Sequence, residues 1–193
     1  MKTISFATTN SGKFRSMYEQ LHHYKINVIR QNIELPESRT YDITKIATEK
    51  ILFAYDHLKA PCIVVDSGFY IESLNGFPRT FVKFALETIG IHGILKLTEN
   101  ETRKCEFKNC LAYMDDHLTT PIIFDSIVSG LLSKEPTGNL QNHCQSDLYL
   151  IFIPENETKT WAEMDTRYYD RWKKTIRDSY KVKFSKWFIE NRF

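Results

Sequence analysis

A polar turn follows the first strand-like segment of the chain and has the composition of a phosphate-binding loop. Residues Thr8–Lys13 read Thr-Thr-Asn-Ser-Gly-Lys, between an alternating strand pattern and a helical pattern. Small residues let the backbone approach an anion, and the free N–H groups of a helix's first turn point at it. Thr8, Asn10 and Lys13 add hydroxyl, amide and ammonium donors. The turn lacks the two-glycine spacing of a Walker A loop, so a plain helix cap formed by Asn10 or Ser11 is the alternative interpretation.

A carboxylate follows a short apolar run in the first half of the chain. The run Cys62–Val65 ends at Asp66-Ser67-Gly68, which predicts a buried strand with polar groups at its end. A carboxylate there can hold Mg²⁺ and orient or deprotonate a water, as hydrolysis of a phosphoanhydride requires. The alternative is a turn stabilised by the Asp66 side chain. Three acids in an earlier polar loop could each supply a second metal ligand or be solvated: Glu34, Glu37 and Asp42.

Two lysines stand where a cation is unexpected. Lys50 lies on the apolar face of a predicted helix, three residues after Ala47 and four before Ala54. An ammonium there must either extend to solvent or meet a negative partner, and a triphosphate would be such a partner. Lys83 is bracketed by aromatic residues after a Gly-Phe-Pro turn, with an exposed helix lysine as the alternative.

The elements that position these residues alternate between strand and helix patterns. We predict strands and helices in this order: strand Lys2–Thr8, a helix with Phe14, Met17, Tyr18 and Leu21 on one face, strand Ile26–Arg30, a long helix from near Tyr41, strand Cys62–Val65, helices Thr80–Thr88 and on to Leu97, a hairpin of Cys105–Asp115 and Ile122–Leu132, strand Leu148–Ile153, and helices Thr166–Asp178 and Tyr180–Asn191. No repeat or linker interrupts the pattern. The chain is therefore predicted to form a single α/β domain over residues 1–193.

Composition narrows the classes of function. The 193 residues carry 26 Lys+Arg and 24 Asp+Glu, a net charge of +2, and 42% are hydrophobic. Such a chain can bury a substantial core, and it lacks the basic excess of most duplex-binding proteins, so nucleic acid is an unfavoured partner. No segment approaches the roughly 20 apolar residues of a membrane span. The first residues do not resemble a signal peptide, so we expect a soluble protein in the cytoplasm.

The remaining titratable residues argue against other hydrolase classes. The four cysteines form no Cys-x-x-Cys or zinc-ligand pattern, so we expect reduced thiols. None of the six histidines completes a nucleophile pattern. Basic residues interleaved with Tyr and Trp in the last two helices could bind RNA or a protein partner, although a solvated amphipathic face is the favoured interpretation. The basic residues are Arg167, Arg171, Lys173, Lys174, Arg177, Lys181, Lys183 and Lys186.

Taken in order, these pieces resemble the inosine triphosphatase family, the pyrophosphatases that cleave non-standard purine nucleoside triphosphates such as ITP, dITP and XTP to the monophosphate and pyrophosphate. The resemblance covers the chain up to about residue 163. It is carried by seven segments: Phe6–Lys13, Ile33–Glu37, Lys50, Val64–Gly68, Leu74–Lys83, Gly130–Gly138 and Thr160–Met164. Each segment is weak alone, but their shared order is specific.

The resemblance implies an elongated twisted mixed sheet flanked by helices, with two lobes, a central cleft, Mg²⁺ dependence and a homodimer. It implies that Glu37 and Asp66 hold the metal and that Asp66, Lys13 and Lys50 are catalytic, with Asp66 activating the attacking water. The substrate would be bound by Thr8, Thr9, Asn10, Ser11, Gly12, Lys13, Lys50, Ser67, Lys83 and Asp147.

The departures from the family pattern are concentrated away from the phosphate motifs. Val65 replaces an acid that the family has before the aspartate, and Asn75 and Arg79 replace two glycines. The aromatic-Gly-aromatic-Asp segment reads Gln145–Leu148, and the Ser-His-Arg motif that reads the purine is replaced by Trp172–Thr175. Two hypotheses remain open: a triphosphate pyrophosphatase, and a divergent relative with altered base specificity or with binding but little hydrolysis.

Overall fold

The computed structural model describes residues 2–192, in which strands and helices alternate as the sequence predicts. In chain order they are β1 (Thr3–Ala7), α1 (Ser11–His23), β2 (Asn27–Gln31), α2 (Ile43–Leu58), β3 (Cys62–Ile71), β4 (Pro78–Arg79), α3 (Val82–Thr88), α4 (Gly90–Leu97), β5 (Lys104–Met114), β6 (Ile122–Leu132), β7 (Phe152–Pro154), α5 (Thr166–Thr175) and α6 (Tyr180–Arg192). Two 3₁₀ helices, Glu72–Leu74 and Asp147–Leu150, complete the described elements.

The strands form one mixed sheet of seven strands in the order β2-β1-β3-β5-β6-β7, with β4 paired to β3. β1 is parallel to both β2 and β3, with Phe6 opposite Arg30 on one side and Ile63 on the other. The β3–β4 and β6–β7 pairs are antiparallel. The sheet, with helices between its strands, confirms the predicted mixed α/β class.

Two compact units are distinguished within the chain. The first comprises Met1–Ser67, Asn109–Ser126 and Asp178–Phe193. Its central strand β1 is buried on both faces: Ile4 and Phe6 pack in one cluster with residues of α1 and α6, and Ala7 packs in another with residues of α2. The residues of β1 that enter these two clusters are all apolar, as packing on both faces of a strand requires.

The second unit comprises Gly68–Lys108 and Ile127–Arg177. Its core is an aromatic cluster in which the Trp161 ring lies 4.4 Å from Phe152 and 5.1 Å from Phe107, between ring centroids. Phe69 extends the cluster at 4.7 Å from Phe107. Aromatic pairs at these separations add to the free energy of area burial by about 0.5–1.5 kcal/mol each.

Two predicted strands differ from those of the structure by more than one residue at an end. β3 does not end at Asp66 but continues to Ile71, because Gly68 serves close strand approach and not a turn. A Cβ on Gly68 would lie 2.8 Å from the carbonyl oxygen of Arg79 on β4. The predicted strand Leu148–Ile153 is also wrong, since its first half is the 3₁₀ helix and only Phe152–Pro154 is strand.

All four cysteines are free, and Cys62, Cys105 and Cys110 are buried. Burial raises the pKa of the Cys62 thiol to about 12, which makes it a poor nucleophile. Within residues 2–192, no helix has the length and apolar character needed to cross a bilayer.

Candidate functional site

The Thr8–Lys13 turn connects β1 to α1 and is held by its own side chains. Asn10 is the N-cap of α1, and its Oδ1 accepts a hydrogen bond from the Lys13 N–H at 2.9 Å. The Asn10 N–H in turn donates to Thr8 Oγ1 at 3.1 Å. The alternative interpretation, in which Asn10 caps the helix, is therefore confirmed. Within residues 2–192, the backbone N–H groups of Thr9, Ser11 and Gly12 have no hydrogen-bond partner, so they can donate hydrogen bonds to an anion.

Lys13 brings its ammonium from this turn to β3. Its Nζ donates to the carbonyl oxygen of Val65 at 3.1 Å. Burial lowers the pKa of Lys13, and the charge of Asp66 opposes that effect only in part. The side chain therefore links the turn to the strand segment that carries Asp66.

Lys50 occupies the centre of a three-residue charge cluster. Its Nζ lies 2.6 Å from Asp66 Oδ2 and 3.1 Å from Glu37 Oε1. The Lys50 and Asp66 side chains are 10% and 14% exposed, whereas Glu37 is 83% exposed. Lys50 thus meets the negative partner that its position on an apolar helix face requires, and it does not extend to solvent.

Opposing effects set the pKa of Lys50. Burial by itself lowers the pKa, but the charge and hydrogen bond of Asp66, followed by those of Glu37, raise it above 10.5 overall. The ammonium is therefore retained at neutral pH, where it holds the two carboxylates together.

Asp66 and Ser67 are fixed by further contacts. The second carboxylate oxygen of Asp66, Oδ1, accepts the Ser67 N–H at 2.9 Å. Ser67 Oγ donates to Asn109 Oδ1 at 2.9 Å. Asn109 lies on β5, and no sequence pattern singled it out. Asp66 therefore has a defined orientation before any ligand binds.

The three acids of the polar loop separate into different roles. Glu37 alone contacts Lys50. Asp42 is the N-cap of α2, where it accepts the N–H groups of Thr44 and Lys45 at 2.9 and 3.2 Å. Glu34 is exposed. In the described part of the chain, no group of three or more His, Cys, Asp or Glu is arranged to hold a metal ion, so Glu37 and Asp66 remain the two candidate ligands.

Lys83 and Asp147 lie in the second unit, where each is exposed. Lys83 Nζ is 3.8 Å from Glu87 Oε1 on α3, and Asp147 begins a 3₁₀ helix. Their roles as substrate ligands stay predictions.

Both residues that replace family glycines in the second unit keep a left-handed backbone. Asn75 has φ of 52° and Arg79 has φ of 57°. Asn tolerates this region better than most side chains, whereas Arg pays a steric cost of about 1–2 kcal/mol. The backbone of this segment is therefore the one that glycines would favour, although the side chains differ.

Two later segments of the resemblance contact each other within the second unit. Thr137 Oγ1 donates to Glu163 Oε2 at 2.9 Å, and the same oxygen accepts the Thr160 N–H at 2.8 Å. The hydrogen bond from the Thr160 backbone is the main reason that the pKa of Glu163 is lowered. Gly138, at φ of 78°, lets the two segments approach. These hydrogen bonds hold the two segments together within the second unit.

The stretch that replaces the Ser-His-Arg motif is the last turn of α5. Trp172 is buried, with its ring 5.2 Å from that of Trp161, and Lys173 pairs with Asp170 at 3.0 Å. In α6, Lys183 donates to the carbonyl oxygen of Asp125 at 2.8 Å. Lys173 and Lys183 thus have partners within the protein, whereas most of the other basic residues of these helices are exposed, so the RNA interpretation stays a prediction.

Comparison with known proteins gives a single family. Residues 4–176 match the sequence profile of the Ham1 family. A protein of Methanopyrus kandleri named dITP/XTP pyrophosphatase is 34% identical over 97% of this chain and 97% of its own length. A protein of Hyperthermus butylicus with the same name is 33% identical over 86% of this chain and 85% of its own length.

Solved structures agree on the fold. The HAM1 protein of Coxiella burnetii superposes with a TM-score of 0.79 at 23% identity, covering 98% of this chain and 100% of that one. The Ham1 protein of Staphylococcus aureus gives a TM-score of 0.77 at 20% identity, covering all of both chains. The family resemblance inferred from the sequence motifs is confirmed.

Proposed function

The chain belongs to the Ham1 family, and on that premise we propose that it hydrolyses non-standard purine nucleoside triphosphates, such as dITP, XTP and ITP, to the monophosphate and pyrophosphate. This activity would remove such nucleotides from the cellular pool. The observation that carries the proposal is the identity of about a third with dITP/XTP pyrophosphatases over nearly the whole chain. The charge cluster of Lys50, Asp66 and Glu37 beside the anion-binding turn supports it.

The N–H groups of the Thr8–Lys13 turn and the Lys13 side chain would bind the phosphates. The free N–H groups of Thr9, Ser11 and Gly12 are donors for phosphate oxygens, and the positive end of α1 favours negative charge there. Lys13 Nζ, now on the Val65 carbonyl oxygen, is a further donor within the same unit. These groups would orient the phosphate chain and neutralise charge that develops on it.

Asp66 is the candidate general base. Its carboxylate is oriented by Ser67 and Lys50, and it would accept a proton from the water that attacks the phosphorus atom. Lys50 would position this carboxylate and stabilise its negative charge until the proton transfer.

The donor set of Glu37 and Asp66 fits Mg²⁺. Both supply carboxylate oxygens, which Mg²⁺ prefers, and Mg²⁺ is commonly held by one or two carboxylates together with substrate phosphates. Lys50 Nζ already draws the two carboxylates to one point. When bound there, the metal would supply Lewis-acid polarisation of phosphate oxygens.

The substrate panel is the direct test of the proposed function. Pyrophosphate release should be measured from ITP, dITP, XTP, dUTP and the four common triphosphates, with and without Mg²⁺. We expect hydrolysis of the deaminated purines and dependence on Mg²⁺. No turnover of any nucleotide at high protein concentration would contradict the proposal.

An Asp66→Asn variant tests the proposed base. We expect kcat to fall by about 10²–10⁴-fold, because the general base is lost, while nucleotide affinity stays within about an order of magnitude of wild type. The matched control is Asp56→Asn, which removes an exposed carboxylate from α2. An unchanged rate in Asp66→Asn would remove Asp66 from the mechanism.

A nucleotide-binding protein with altered base specificity or weak hydrolysis is the second candidate. Val65, in place of a family acid, is buried against the apolar cluster of the first unit, and no third acid compensates for it among residues 2–192. Binding of the panel nucleotides without pyrophosphate release would favour this candidate.

Localisation and assembly complete the proposal. We propose that the protein acts in the cytoplasm, where nucleotide pools lie, and as a homodimer, as the family resemblance implies. Light scattering of the purified protein would give a mass near twice 22.8 kDa if the dimer forms.

A further inference from the structure

Arg30, on the neighbouring strand β2, donates hydrogen bonds to the backbone of the Thr8–Lys13 turn. Its Nε donates to the carbonyl oxygen of Thr8 at 3.1 Å, and its Nη2 donates to the carbonyl oxygen of Thr9. The next residue of β2, Gln31, accepts the Thr8 N–H at 3.0 Å. One strand end therefore fixes two successive peptide groups of the turn.

These contacts determine which way the N–H groups of Thr9 and Asn10 point. A trans peptide places its C=O and the following N–H on opposite sides. Because the Thr8 carbonyl oxygen faces Arg30, the N–H of Thr9 faces away from the guanidinium. The Thr9 carbonyl oxygen is held in the same way, which directs the N–H of Asn10 toward Thr8 Oγ1.

Arg30 has no acidic partner within residues 2–192, and its guanidinium donates hydrogen bonds to these two carbonyl oxygens alone. Carbonyl groups orient a guanidinium without neutralising it, so Arg30 keeps a full positive charge beside the turn. A planar fork that binds two acceptors at once is a property of Arg that Lys lacks.

We propose that Arg30 is a positioning residue for the triphosphate, which presets the Thr9 N–H and the first two peptide groups of the Thr8–Lys13 turn and adds uncompensated positive charge next to them. The proposal rests on the proposed function, because it assumes that the turn binds phosphate. No sequence motif marks Arg30, and its role follows from the contacts of its side chain.

The test compares Arg30→Gln and Arg30→Lys with the wild type in binding of inorganic triphosphate by calorimetry. We expect Arg30→Gln to bind about 10-fold more weakly, because both geometry and charge are lost. Arg30→Lys should be intermediate, since one ammonium keeps the charge but not the fork. Lys45→Gln is the control, because it removes an exposed positive charge from α2 of the same unit and should change affinity less than about 2-fold.

Turnover separates positioning from a structural role. With a hydrolysed nucleotide, we expect KM to rise in Arg30→Gln by about the same factor as the binding constant, with kcat within about 2-fold of wild type. A fall in kcat with unchanged KM would contradict the proposal, as would affinity in Arg30→Gln equal to that of Lys45→Gln. Arg30→Lys equal to wild type would show that charge alone matters and would also overturn it.

The two proposals fail in different ways. If the wild type neither binds inorganic triphosphate nor hydrolyses any panel nucleotide, the proposed function itself fails. If the wild type does both and Arg30→Gln is indistinguishable from it, only the role of Arg30 fails.

Discussion

Substitution of Lys50 by Met is expected to destabilise the protein markedly while preserving most of its packing. The variant leaves the Asp66 carboxylate, only 14% exposed, without its ammonium partner. Removing one partner of a buried ion pair costs about 3–5 kcal/mol, and we expect about 3 kcal/mol because the Ser67 N–H still binds Asp66. Glu37 is 83% exposed, so its lost contact adds no more than about 1 kcal/mol. At this chain length each kcal/mol lowers Tm by about 2–4 °C, which predicts a fall of about 6–12 °C.

A double-mutant cycle isolates the Lys50–Asp66 contact from other effects of the substitutions. Urea unfolding of Lys50→Met, Asp66→Asn and the double variant should give a coupling free energy of about 2 kcal/mol, because the double variant buries neither charge alone. Lys45→Met is the matched control on the exposed face of α2 and should change stability by less than about 0.5 kcal/mol. Additive effects of the two single substitutions would refute the geometry of the cluster.

The same variant has a defined pH signature. Because Asp66 and Glu37 raise the pKa of Lys50 above 10.5, the folded state holds this proton more tightly than the unfolded state. The stabilisation is therefore fully present below pH 10.5 and is lost as pH rises through the folded pKa. The stability difference between wild type and Lys50→Met should be constant near neutral pH and shrink in strong alkali. A difference that instead grows with alkaline pH would contradict the assignment.

Two further substitutions probe the scaffold by urea unfolding. Gly138→Ala should cost more than about 2 kcal/mol, because its Cβ would lie 2.5 Å from the backbone of Ala162. Gly90→Ala, which also has positive φ but meets nothing within 4 Å, should cost only about 1 kcal/mol, and equal losses would exclude the clash. Arg192→Gln should cost about 3 kcal/mol near neutral pH, since it leaves Asp115, 2% exposed, without its ion pair. Although burial opposes it, hydrogen bonding lowers the pKa of Asp115 below 3.8, so this loss should disappear as pH falls through the folded pKa, and a loss that persists in acid would count against the pair.

The parts of the site that interrupt a pattern could be predicted from the sequence. Lys50 is identified because a charge on an apolar helix face needs a partner, and the structure supplies Asp66 and Glu37. The turn after β1 is identified because small polar residues separate two clear periodicities. In both cases the residue types depart from the pattern expected for a helix or strand, and binding of a charged partner or an anion explains the departure.

The rest depends on contacts between distant segments. The predicted end of β3 is wrong because glycine is typical of turns. Position 68 needs a glycine for another reason, since β4 approaches so closely that a Cβ would not fit. The run Leu148–Ile153 is apolar because it is buried, and burial does not distinguish a 3₁₀ helix from a strand. Arg30 and Asn109 are ordinary polar residues in strands, and only the folded chain shows what they hold.

The continuity of β3 restricts how this segment can change in evolution. Ser5 lies opposite Cys62 and Phe6 opposite Ile63, so these pairs set the register of the strand before Asp66. Because side chains alternate along a strand, a single inserted or deleted residue between Ile63 and Asp66 would turn Asp66 to the opposite face of the sheet, away from Lys50. Substitutions can accumulate in these few positions while the spacing stays fixed, so an alignment gap there would mark a chain that has lost this carboxylate cluster.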